Sequence, residues 1–509
     1  MNDHRRLTAA LPIALIAVLA VVPAIAAPLL AAEPIQVIEL HSDTSPLVSI
    51  RLQFNAGSIY DPPGKEGVAS LTGMMIAQAG TRKHSYKALA EAFYPMAGAI
   101  ESSVDREVAV LNGTVHRDQL DAYTGLFEEA LFEPAFTQSD FERNKASLLS
   151  VLTDIYRAGS DELLGLEALQ DKIFAGHPYG HPVEGTVESL QRLTIDDVKA
   201  FYKDHYTRGG LLAGVAGGYP QGPQGYVQRL TKDLAALPAG TPDRKALPPL
   251  PKVAGRAFTL IEKQTTAAGI NLGFALPVNR SDPDYFPLMV ANSYLGEHRS
   301  LYGRLMKELR GFRGLNYGDY SYIEFWDNPP GTEQPTPNVP RRQQYFSVWI
   351  RPVAPADAQF ALRDALYEVQ KLHDHGMSQQ DFEATRDLLI NYSKLWAGEM
   401  SKRLGLLMDS KFYGTPYYID EIEARLKTMT LEQVNAAARK YLDPANFDAV
   451  VVTGNAARLK DSLQNDAPSP KTYTNPVAPA VLEADKTIQA LKIQPTKIEV
   501  VPVDQVFQH

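Results

Sequence analysis

Not one of the 509 residues is a cysteine, and that absence removes several chemistries at once. The chain can form no disulfide, bind no zinc or iron–sulfur cluster through sulfur, offer no thiol nucleophile and carry no lipid on an N-terminal Cys. A cationic excess is missing as well. The formal net charge is −9, whereas a general nucleic-acid binder needs a basic face, so no nucleic-acid partner is expected. Past the N-terminal segment, no stretch approaches the ~18 uninterrupted apolar residues of a membrane-spanning helix. No stable membrane insertion of the processed chain is therefore expected.

What is present reads as ordinary globular protein, with 45% hydrophobic and 21% charged residues. The length exceeds what one hydrophobic core usually serves, so two domains are expected. The N-terminus stands apart. Arg5 and Arg6 precede an apolar run from Leu11 to Val22, and Ala24-Ile25-Ala26 supplies the small residues a signal peptidase requires. Residues 1–26 read as a secretory signal cleaved after Ala26, which makes the protein exported and periplasmic. An uncleaved anchor is the competing reading, because apolar residues continue to Ala32; Pro23 and Pro28 would break such a helix.

A proline-rich stretch at residues 237–252 divides the remainder, and the segments on either side resemble each other. Ile50, Leu52 and Phe54 alternate as in a half-buried strand, and Ile270, Leu272 and Phe274 repeat them at an offset of 220. Near the end of each copy a Thr-capped helix, opening at Thr194 or Thr430, leads to an apolar strand, Leu211–Gly217 or Ala449–Gly454. A repeat of this length is a duplicated domain. The expectation is an α+β fold of two homologous domains, residues 36–236 and 253–455. Each is a mostly antiparallel sheet with helices packed on one face. Residues 456–509 are expected to form an ordered tail with a helix near Val481–Leu491 and an extended Lys497–Val503.

The segment from Ala56 to Thr81 carries a resemblance. With Gly67, Ala69, Met75, Gly80 and Thr81, it resembles the opening of the pitrilysin/insulinase (inverzincin) metallopeptidases, in the processing-peptidase-like branch. Further matches are Gly176–Gly180, Gly185-Thr186, Leu295-Gly296, Arg304-Leu305 and Arg313-Gly-Leu-x-Tyr317. Together they span about residues 36–455. The family places His-x-x-Glu-His after Gly-x-Ala. A helical His-x-x-x-His pair holds zinc from one face, and the Glu takes a proton from the metal-bound water. Here Ser70, Gly73 and Met74 occupy those positions. The family's third ligand would fall within residues 150–154, where Asp154 alone is a carboxylate. No zinc or other cofactor is therefore expected on this chain.

Other metal or nucleophile readings are weaker. His177 and His181 have helical spacing, but Pro178, Gly180 and Pro182 argue for a loop. His373 and His375 precede Gly376 at an apparent helix end, where imidazoles suit the dipole. Ser70 lacks an adjacent base or elbow motif.

The second half retains what the family uses elsewhere. Residues 300–310 read as a helix with Gly311 just past its end. The resemblance implies that Arg310 and Tyr317 bind the substrate carbonyl and stabilise the oxyanion in a zinc site; Arg313 is the nearby alternative. A cation and a phenol suit developing negative charge. The resemblance therefore implies the non-zinc subunit of an exported heterodimeric zinc endopeptidase acting on peptides or small unfolded proteins. Its partner would be a homologous chain with His-x-x-Glu-His that carries the zinc. The alternative is a non-catalytic peptide-binding or assembly module of the same fold.

Overall fold

A computed structural model describes residues 35–241, 243–297, 302–326 and 334–509. The signal segment expected at residues 1–26 lies outside the described residues. From Ile35 onward the chain forms one compact unit built on two sheets.

The first sheet contains β1 (Gln36–His41), β2 (Leu47–Phe54), β3 (Glu101–Val104), β4 (Ala109–His116) and β5 (Leu211–Gly217), in the order β1-β5-β2-β4-β3. The second contains β6 (Arg256–Glu262), β7 (Ala268–Leu276), β8 (Asp319–Tyr322), β9 (Gln344–Val353), β10 (Phe447–Thr453) and β11 (Lys497–Pro502), in the order β11-β6-β10-β7-β9-β8. Apart from β11 the two orders are the same plan, with β1 against β5 and β6 against β10 as the parallel pairs. The remaining pairings of that shared plan are antiparallel.

The alternation seen in the sequence is the cause. Ile50, Leu52 and Phe54 enter the first core and Ile270, Leu272 and Phe274 the second, all at most 9% exposed. Each domain's own helices lie on that face, Val68–Ala77 against β3 and β4, and Ala358–His375 against β9. Thr194 and Thr430 each cap their helices through a reciprocal box, with Asp197 and Gln433 as partners.

The opposite face of each sheet is covered too, by a helix from the other half. Asp161–Ile173 lies across β7, β9 and β10, and Met400–Tyr413 lies across β1, β2 and β5. Both helices carry Leu-Gly-Leu, at residues 164–166 and 404–406. A Cβ on Gly165 would sit 2.3 Å from Asn271 Nδ2, and one on Gly405 2.8 Å from Arg51 Nη1. Arg51 and Asn271 are equivalent positions at the offset of 220. Each glycine lets one half's helix approach the matching strand of the other half.

Residues past 455 join the second sheet. Helix Pro479–Ile488 packs on Ala358–His375, and β11 adds parallel to β6 at the sheet edge. Pro502 ends that strand, where its missing N–H costs no ladder bond. Among the described residues no helix is long and apolar enough to cross a membrane.

Candidate functional site

The Val68–Ala77 helix is entered through Gly67, whose φ of 93° suits glycine. Asp61 accepts the Gly67 and Ala69 amides at 2.7 and 2.9 Å. On this helix Ser70 donates its hydroxyl to the Val183 carbonyl. A Cβ on Gly73 would lie 2.4 Å from Ser102 Oγ and 3.1 Å from Val104 Cγ2. A carboxylate side chain there would therefore have to push against β3. Met74 packs against the first core. Two buried hydroxyls beside Gly73, Ser102 Oγ and Tyr206 OH, have no hydrogen-bond partner among the described residues. Asp154 is exposed and accepts from Ser150 and Thr153 at 2.8 and 3.0 Å. These residues do not fit a zinc ion: no imidazole or converging carboxylate stands at any of the motif positions. Among the described residues no three of His, Cys, Asp or Glu converge as a metal site.

The histidines fall as their flanking residues suggest. His177 and His181 lie in a loop with different partners, the Tyr179 amide and the Pro182 carbonyl. Burial, aided by Arg106, lowers the His181 pKa to about 4. His373 and His375 close a helix that ends at Gly376, φ 68°.

The helix carrying Arg310 differs from the expectation. Past the α-helical Arg304 and Leu305 it becomes a wide, π-type helix over Met306–Phe312 that runs through Gly311. The stop is Gly314, with φ 60°, whose amide bonds the Arg310 carbonyl at 2.9 Å while Leu315 N bonds the Leu309 carbonyl. Gly311 needs no left-handed backbone and stays helical; Gly314 supplies the reversal. This turn brings Tyr317 back over the helix, and the Arg310 guanidinium stacks 4.5 Å from its ring centroid. Tyr317 is 68% exposed, so it does not pack the sheet. Arg313, the alternative, is 4% exposed. It is bonded to Glu308 at 2.8 Å and Asp485 at 2.8 Å, and lies 3.4 Å from Asp364. It is a structural cation and is closed to a ligand.

Two residues unremarked in the sequence complete the surroundings. Arg351 at the end of β9 lies 5.3 Å from the Tyr317 ring on its way to Glu162, which it contacts at 3.0 Å. The available signal was Trp349 and Arg351 sharing one strand face, an unusual pair for a solvent face. Under them Leu166 packs against the cluster of Met306, Tyr320 and Trp349. Asp319, fully buried beside Arg310 and Arg351, has its carboxyl pushed up to about 7 by burial; Asn316 and the arginines offset this only in part. A cleft of about 400 Å³ follows, between residues 158–162 and 263–265. The arrangement presents a half-buried cation and an exposed phenol on an apolar base, able to donate to a carbonyl or carboxylate oxygen.

Two family models match this chain: Insulinase (Peptidase family M16) over residues 36–187 and Peptidase M16 inactive domain over residues 192–389. Together they cover more than half of it. The chain belongs to the M16 peptidase family. It is 23% identical to an uncharacterized zinc protease of Streptomyces coelicolor, over 80% of this chain and 86% of the relative. It is 22% identical to the non-peptidase homolog YmxG of Helicobacter pylori, over 80% and 89%. Among solved structures, a peptidase M16 inactive domain from Pseudomonas fluorescens superposes with a TM-score of 0.71 at 23% identity, covering 83% of this chain and 96% of that one. That last likeness shows the shared fold. Within the family this chain is a member without a zinc motif of its own.

Proposed function

We propose that this M16 protein is the non-zinc subunit of an exported, heterodimeric zinc endopeptidase that cleaves peptides or small unfolded proteins. The observation that carries the reading is an asymmetry. In the first half every motif position is filled or closed against zinc, at Ser70, Gly73 and Met74. In the second half the half-buried Arg310 guanidinium stacks on the exposed Tyr317 ring. A large aromatic left in solvent over a guanidinium is poor packing and good preparation for a ligand. In the pair, a homologous partner bearing His-x-x-Glu-His supplies zinc, water and general base. Arg310 and Tyr317 grip the peptide carbonyl and stabilise the oxyanion.

The test is purification from the native cell and reconstitution. The chain should copurify one-to-one with a His-x-x-Glu-His member of the family, hold no stoichiometric zinc alone, and hydrolyse peptides only with that partner. Isolation as a homodimer with no such companion would instead favour the peptide-binding or assembly module. Export is checked by the native N-terminus, expected at Ala27 or, after trimming, by Ala32. Recovery of the unprocessed chain from membranes would oppose it.

A further inference from the structure

The last residues of the chain leave the second sheet and cross to the first half. After β11 a short turn at Val503–Gln505 directs them onto the helical segment Val151–Gly159 and the loop before Val187. There they are held as a bound peptide would be. Arg157 donates Nε to the Val506 carbonyl at 2.7 Å, and its Nη2 reaches the same oxygen and Gln508 Oε1. The Val187 and Glu188 amides donate to the Phe507 and Gln508 carbonyls, both at 3.0 Å. Val506 and Phe507 are the apolar anchors, 8% and 5% exposed, and the Phe507 ring meets Tyr156 edge-on at 6.1 Å. Phe507 is held at φ 58°, a left-handed backbone unfavourable for an aromatic residue and maintained by bonds on both sides.

Most of these polar contacts go to main-chain atoms, which any sequence offers; selectivity rests on one branched–aromatic pair and on His509, whose Nδ1 lies 3.0 Å from Glu188 Oε1. That is the division of labour of peptide recognition, with main-chain hydrogen bonds for affinity and side-chain pockets for selectivity. The place also matters. Tyr156, which touches Phe507, donates its hydroxyl to Glu184 at 3.0 Å, next to Val183, which receives the Ser70 hydroxyl. Five residues beyond Arg157, Glu162 holds Arg351 beside Tyr317.

We propose that Val503–His509 is a resident peptide ligand, and that the surface formed by Tyr156, Arg157, Val187 and Glu188 is a peptide-binding groove. The groove takes a short, turned segment with a β-branched residue followed by an aromatic one, flanked by polar or charged residues such as Asp504 and His509. The tether keeps it closed, because an attached ligand acts at an effective concentration near millimolar. The inference needs neither zinc nor a partner subunit, so it stands or falls separately from the proposed function.

The experiment uses the full chain with a specific protease site inserted between Pro502 and Val503, cut after folding. The probe is a fluorescent heptapeptide of residues 503–509, followed by anisotropy, with circular dichroism recording the fold. Saturable binding is expected at least tenfold tighter to the cut chain than to the uncut one. It should fall on the order of tenfold or more when the peptide's Phe becomes Ala or when the protein carries Arg157→Ala. Equal binding to cut and uncut protein, no binding after the resident segment has dissociated, or unfolding on cutting would each overturn the proposal. The last outcome would make the segment an integral strap of the core.

Discussion

Arg310 and Arg313 stand three positions apart, and their surroundings give them opposite roles. Arg313 is enclosed by Glu308, Asp364 and Asp485, so Arg313→Ala strands buried carboxylates and should cost about 3–5 kcal/mol. Tyr317→Phe alters an exposed ring and should shift stability by no more than about 0.5 kcal/mol, and Arg310→Ala, which removes a half-buried guanidinium, by about 1 kcal/mol, still well short of Arg313→Ala. In a reconstituted complex the proposed oxyanion role predicts that each lowers turnover about 10²–10³-fold, and the double variant less than the product, since both donors would then act on one oxygen. Urea melts and peptide-cleavage kinetics separate the two classes; untouched turnover in both variants would remove the catalytic assignment. Beside them, Asp319 makes a prediction about pH. Its folded pKa of about 7 lies above its unfolded value of about 3.9, so its contribution is complete below pH ~4 and is lost as pH rises through 7. Asp319→Asn should therefore stabilise the protein at pH 8 relative to pH 4 when each is compared with the parent by thermal melts. An identical pH slope in the two proteins would contradict the burial of that carboxyl as a charge.

Among the elements, strands and capped helices could be read directly because one local cause fixes each. Alternation at Ile50, Leu52 and Phe54 defines a core face, and Thr194 with Asp197 closes a helix start. What could not be read is which partner covers the other face. Arg51 and Asn271 look like solvent positions in alternating strands, yet each lies under a helix from the opposite half. Gly165 and Gly405 look like helix defects, and only the packed pair gives them a purpose. The end of the Arg310 helix is hidden from the sequence for a related reason: two glycines compete to end it, and the choice of Gly314 depends on the fold beyond it. These contexts make glycine substitutions informative. Gly125 in the Leu120–Phe132 helix faces open space, so Gly125→Ala should stabilise by up to about 1 kcal/mol through helix propensity. Gly405→Ala gains the same propensity but drives a methyl to 2.6 Å from Pro337 Cβ and 2.8 Å from Arg51 Nη1. It should destabilise by about 1–3 kcal/mol. Opposite signs in denaturant melts are the expected result; a stabilising Gly405→Ala would mean that the helix does not seat against β2 as described.

For the whole molecule, the question is whether two homologous halves behave as one cooperative body. Besides the exchanged helices, they are joined by buried charge. Arg341, 2% exposed, donates Nε and Nη2 to Asp105 at 2.8 and 2.6 Å and Nη1 to Gln170 at 2.9 Å. Its neighbour Arg342 contacts Glu107 at 2.5 Å. Charged contacts so deep add little net stability while intact, because desolvation cancels much of the attraction, but breaking one side is costly. Arg341→Ala leaves Asp105 buried beside an empty space and should cost about 3–5 kcal/mol. The loss should appear as separation of the halves as well as a lower midpoint, since the ion pair spans them. Unfolding should then broaden toward two steps, and limited proteolysis should cut first within residues 237–255, whose described residues carry no helix or strand. Replacing both partners by apolar residues, Arg341→Met with Asp105→Leu, should recover much of the stability and restore a single transition, because no charge is stranded. If Arg341→Ala instead melts in one sharp step at the parent midpoint, the exchanged helices alone hold the halves together, and the buried pair contributes nothing measurable to their union.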